Sequence, residues 1–121
     1  MSLSIAHFPE SPDVKYGSGW SGMELFGNKS TESPSCCGIC ELEPGASNTV
    51  TSKYVSYGVY LEGEGEIVES SKPDEVKTVK AGDVFHAEPG STVTWTARTK
   101  MRSFYVVHKE LGEATSAFNL A

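Results

Sequence analysis

Three cysteines, three histidines and a group of glutamates hold the acid, base and nucleophile chemistry open to this chain. Cys36, Cys37 and Cys40 fall in one short stretch, and Cys37-Gly38-Ile39-Cys40 has the spacing of a redox pair or of half a zinc site. The residues around it read as a strand entering the Glu43-Pro44-Gly45 turn. On a strand, positions three apart face opposite ways, which is poor disulfide geometry. No second cysteine pair completes a four-ligand site. Reduced, partly buried thiols are the expectation, with redox sensitivity and zinc as alternatives. His86 lies in GDVFHAEPG, either as an imidazole bonded to backbone or as an acid/base group, histidine being the side chain that changes charge nearest neutral pH. His108 ends a strand and reads as structural, while His7 carries no signal. Glu62, Glu64 and Glu66 alternate with Gly63, Gly65 and Ile67, the pattern of a solvated face, whereas one register turns Glu41 inward. No Ser-His-Asp order and no phosphate-binding glycine loop is present.

The elements that must position these residues are strands. Between Tyr54 and Trp95 the chain alternates Val-, Tyr- and Thr-rich runs with Gly63, Gly65, Gly82-Asp83 and Pro89-Gly90. Such glycine and proline pairs punctuate strands, and β-branched and aromatic residues suit a pleated, half-buried surface. Strands are expected near 36–43, 49–61, 65–70, 76–80, 83–87, 91–97 and 102–109. MRSFYVVH is apolar on both faces at its centre, as for a strand between two sheets. Residues 1–35 hold most of the turn formers and read as an irregular arm lying on the domain or on a partner subunit, with short apolar patches at Ile5–Phe8 and Met23–Phe26 that could be brief strands. Residues 36–109 form the body, and 110–121 a weakly helical tail.

With 121 residues the chain makes one domain, able to bury roughly two-thirds of the surface its unfolded form exposes. Ten basic against sixteen acidic residues give a net charge of −6, with no basic face for a nucleic acid. No apolar run approaches the ~20 residues that span a bilayer. The N-terminus lacks the basic and apolar regions of a secretory signal, so a cytoplasmic protein is expected.

LEGEGEI followed by AGDVFHAEPGS, with Trp95 on the next strand, resembles the cupin superfamily of small jelly-roll barrels, most closely its single-domain ethanolamine-utilisation Q branch. The resemblance covers residues 38–108 and implies an all-β antiparallel barrel, commonly a homodimer that packs sheets and covers edge strands. Metal-binding cupins hold their ion with two histidines and a glutamate from one strand pair and a third histidine from a later strand, leaving open coordination sites. Matched on Gly63, the glutamate falls on Ser56 and the paired histidines on Thr49 and Thr51, or on Thr51 and Lys53. Matched on Gly82 and Gly90, the third histidine falls on Val93 and a following asparagine on Ala97. None of these side chains replaces an imidazole, so no metal and no other cofactor is expected.

If Ser56 takes the inward glutamate position, alternation sends Tyr54, Gly58 and Tyr60 inward, and Val93, Trp95 and Ala97 share a face of the opposite sheet. These rings either fill the barrel or line a small-molecule pocket. Lys53 is either solvated or paired with an anionic ligand, and Glu41 is a further candidate contact. The resulting expectation is a metal-independent cupin that binds a small organic molecule through Tyr54, Trp95, Lys53, Glu41 and Ser56. His86 and Tyr60 would supply any isomerase, cyclase or lyase chemistry. The alternatives are a non-catalytic binding or scaffold module and a metalloenzyme using His86, Glu41 and a cysteine.

Overall fold

The computed structural model describes residues 2–8, 12 and 14–120; residues 1, 9–11 and 13 of the expected arm and 121 of the tail lie outside the described residues. Among the described residues eleven strands form: β1 (Val14–Gly17), β2 (Trp20–Gly27), β3 (Cys36–Leu42), β4 (Ser47–Ser52), β5 (Ser56–Glu62), β6 (Glu64–Glu69), β7 (Val76–Lys80), β8 (Val84–Ala87), β9 (Thr92–Ala97), β10 (Met101–Val107) and β11 (Phe118–Leu120). They make a six-stranded sheet in the order β1-β2-β3-β10-β5-β8 and a five-stranded sheet in the order β11-β4-β9-β6-β7. Every pairing is antiparallel. From β3 onward the chain passes repeatedly from one sheet to the other, which is the jelly-roll arrangement of an all-β barrel.

The turns fall where glycine is needed. Gly63, between β5 and β6, has φ of +87°, and a Cβ there would strike the Lys100 carbonyl. Only glycine takes that conformation at so close an approach.

Three expectations need correction. The run 49–61 is two strands in different sheets, joined by a corner at residues 53–55. The corner has no glycine or proline; backbone bonds from Ser52 N to Ser91 O and from Lys53 N to Ala117 O hold it instead. The arm is irregular at 2–8 and 28–35, but β1 and β2 extend the larger sheet, β2 pairing residue by residue with β3. Of its two apolar patches, Met23–Phe26 lies within β2 and Ile5–Phe8 forms no strand. The tail forms a 3₁₀ turn at Ala114–Ala117 and then β11, which pairs with β4.

The core sits between the sheets in two groups. Tyr16, Cys36, Tyr105 and Val107 form one, and Leu42, Tyr60, Ala97 and Met101 the other; Trp20 and Phe85 pack against both. Among the described residues no helix is long and apolar enough to cross a membrane.

Candidate functional site

Alternation along the strands decides which side chains face the interior. On β5 these are Ser56, Gly58 and Tyr60, on β9 Val93, Trp95 and Ala97, and on β10 Met101, Ser103, Tyr105 and Val107. All of these except Gly58 and Ala97 line a cavity of about 390 Å³, a volume usual for small-molecule sites. Its walls are mainly aromatic. Tyr60, Phe85 and Trp95 meet with ring centroids 5.6–5.7 Å apart, and Tyr16, Trp20 and Phe118 form a second trio in which Trp20 stacks on Phe118 at 4.7 Å. Gly58 makes the first trio possible, because the Phe85 ring occupies the space a Cβ would need.

Most polar groups within this wall are uncharged. The Tyr16 and Tyr105 hydroxyls bond each other at 3.0 Å. Tyr60 is 2 % exposed, and its hydroxyl has no hydrogen-bond partner among the described residues. Burial holds all three phenols well above the usual tyrosine range, so they stay protonated. Burial likewise pushes the Cys40 thiol up to about 12, against the opposing pull of contacts to Trp20 and Ser103. Glu69 and Lys77 stand in the wall as a half-exposed ion pair at 3.1 Å, and the lysine's hydrogen bond lowers the Glu69 pKa.

Tyr54, Ser56, Tyr60 and Trp95 all line this cavity, Tyr54 from the corner before β5 and the other three from inward strand positions. His86 also belongs to the wall, at the edge strand β8, but its ring is stacked on that of Tyr57 at 4.8 Å on the sheet's outer side. The remaining two candidates lie elsewhere. Lys53 is exposed at the corner and does not line the cavity. Glu41 is buried on the outer face of the larger sheet, paired with Lys100 Nζ at 3.1 Å and Arg102 Nε at 3.4 Å. Its inward reading fails because Cys40 and Leu42, its neighbours on β3, take the inner positions. Cys37 shares Glu41's outer face and Cys40 the inner one, so the Cys-x-x-Cys pair cannot close; all three cysteines are free thiols. Sequence reasoning missed Tyr16, Trp20, Phe85, Tyr105 and Phe118. The alternation of Met101, Ser103, Tyr105 and Val107 could have found one of them; the arm and tail aromatics had no such signal.

On β4 the cavity is lined by Val50 and Ser52 and not by Thr49 and Thr51, the positions onto which the motif match puts the paired histidines. Thr49 and Thr51 point outward, where their hydroxyls bond Thr94 and Thr92, both at 2.7 Å. The inward positions are Val50 and Ser52, followed by Ser56 on β5 and Val93 on β9. Two aliphatic groups and two hydroxyls do not fit a divalent transition metal. Among the described residues, no three His, Cys, Asp or Glu side chains cluster closely enough to hold an ion.

Residues 30–105 match the model of the EutQ-like cupin domain. The chain belongs to that family. As a EutQ-like cupin it is similar to the EutQ protein of Clostridium difficile, with 16% identity and a TM-score of 0.63 over 76% of this chain and 64% of that one, less than two-thirds of its length. A putative ethanolamine utilization protein Q from Salmonella typhimurium is 25% identical, with a TM-score of 0.61 over 74% of this cupin and 68% of that chain. The fold also matches ectoine synthase from P. lautus at 17% identity and a TM-score of 0.75, covering 98% of this cupin and 90% of that chain, which takes in the β1–β2 hairpin and the tail. Comparison with curated protein sequences gave no match.

Proposed function

We propose that this cupin binds a small organic molecule inside its barrel without the help of a metal. One observation carries the reading: the interior holds an aromatic-walled cavity of about 390 Å³ where valines and serines stand at the inward ligand positions. Tyr54 and Ser56 would contact the guest near the corner, Trp95 would offer its face, and Tyr60 would donate a hydrogen bond. Any catalysis would rest on that donor, aimed at an oxygen that gains charge in an isomerisation, cyclisation or elimination. His86 would act from the edge strand, exchanging protons with solvent. Elemental analysis of protein purified without added metal tests the reading, together with native mass spectrometry. Substoichiometric metal and a melting temperature indifferent to chelator are expected. One iron, manganese, zinc or nickel per chain would sink it.

A separate observation favours a second role, self-association through the outer face of the larger sheet. That face exposes Phe26, Tyr57, Leu61 and Val84. We propose a cytoplasmic homodimer on this face. A part in ethanolamine utilization, the role named for the Salmonella relative, would fit such a scaffold and rests on likeness alone.

A further inference from the structure

We infer, resting on the ligand-binding reading above, that the guest is uncharged and carries a carbonyl oxygen that accepts a hydrogen bond from Tyr60. The Tyr60 hydroxyl is the deciding group. It is buried and has no hydrogen-bond partner among the described residues; Leu42, Phe85, Trp95, Ala97 and Met101 share its cluster, and Cys40 and the Asp83 carboxylate lie near enough to oppose its ionisation further. A buried hydroxyl left unsatisfied destabilises the fold, and a guest offering an acceptor relieves that cost. No side chain among the described residues accepts that proton, which leaves the acceptor to a guest.

Charge is excluded by what faces the cavity. Glu69 and Lys77 are the only Asp, Glu, Lys or Arg side chains in its wall among the described residues, and they neutralise each other at 3.1 Å. A carboxylate guest at Tyr60 would lose its hydration with no counter-ion to replace it. The same environment already disfavours ionised Cys40 and Tyr60. A cationic guest would find ring faces but would leave the Tyr60 proton without an acceptor. A hydroxyl guest brings a second proton into the same apolar surroundings, whereas a carbonyl only accepts. The Tyr16–Tyr105 pair adds a second donor, because two hydroxyls hold two protons and share only one between them.

Trp20 and Trp95 both line the cavity, so their fluorescence reports entry. Four probes of one shape separate the possibilities: acetophenone, ethylbenzene, benzoate and phenyltrimethylammonium. Acetophenone is expected to bind about tenfold more tightly than ethylbenzene, and benzoate and the ammonium more weakly than either. In Tyr60→Phe the acetophenone advantage should vanish while ethylbenzene affinity holds. The variant's melting temperature without ligand should equal or exceed the parent's, since an unpartnered hydroxyl has been removed. Ethylbenzene binding as well as acetophenone, an advantage that survives Tyr60→Phe, or tightest binding by either ion would overturn the inference and leave the cavity reading intact. Failure of all four probes to bind would overturn both.

Discussion

Cys36 and Cys40 share the inner face of β3, and burial pushes each thiol up to about 12 from an ordinary 9.0. In the unfolded chain both ionise near the ordinary value, so between pH 9 and 12 the folded state binds more protons than the unfolded one. Stability from these groups is complete below pH 9 and falls as pH rises through that window; the phenols of Tyr16, Tyr60 and Tyr105, also raised by burial, extend the fall. The guanidinium midpoint should therefore drop steadily from about pH 9 upward, and less steeply in Cys36→Ala/Cys40→Ala. A midpoint flat to pH 11 would show that these thiols are not withdrawn from water. Gly58 supports a second expectation at this scale. A Cβ there meets the Phe85 ring and the Phe104 carbonyl, so Gly58→Ala must shift a cavity wall and should cost about 1–3 kcal/mol in urea unfolding. An unchanged urea midpoint would mean that Phe85 yields freely.

Between elements, one buried ion pair ties the β2 strand to the segment after β10. Lys109 Nζ, 3 % exposed, donates to Glu24 Oε2 at 2.7 Å, and the same carboxylate takes the Cys36 thiol at 2.9 Å and Gly112 N at 3.3 Å. Lys109→Met leaves that carboxylate buried without its cation and should cost about 3–5 kcal/mol, whereas Glu24→Leu/Lys109→Met should recover most of the loss. Thermal melts of the three proteins decide it: a single variant as stable as the parent, or a double variant worse than the single, would refute the latch. Nothing in the sequence joins Glu24 to Lys109, since each reads as an ordinary surface charge. The strands from β5 to β9 were legible because Gly63, Gly82 and Gly90 punctuate them, each with positive φ. Ser56, Tyr60 and Trp95 followed from period-two alternation once the cupin match set Ser56 inward, whereas Tyr54 reaches the cavity from the corner and not from a strand. The corner at residues 53–55 was not legible, because β-formers run through it and only long-range backbone bonds bend it. Phe118 entered the site for a similar reason: three-residue β11 is a strand by virtue of β4 beside it, not by its own pattern.

At the scale of the molecule, the two sheets present unlike outer faces. The smaller sheet carries a ladder of paired hydroxyls, Ser47 with Thr96, Thr49 with Thr94 and Thr51 with Thr92, flanked by the exposed Arg98–Glu66 ion pair. Such a surface is satisfied by itself and by water. The larger sheet offers Tyr57, Leu61 and Val84, the last 75 % exposed, beside the half-buried Phe104 and Val106. The centre of β10, apolar on both sides, reads in sequence as a strand between two sheets, yet among the described residues no second sheet covers its outer side. A second copy would supply the missing layer, and a stable contact needs about 1,000 Å² or more of buried surface with an apolar centre. Light scattering after size exclusion should accordingly give twice the 13.0 kDa of one chain. Leu61→Glu/Val84→Glu places charges on exposed positions of that face and should yield a monomer with unchanged circular dichroism, because both side chains stand largely in solvent. A parent protein already monomeric at micromolar concentration, or a dimer indifferent to both charges, would mean the outer layer of β10 faces water and the self-association proposal falls.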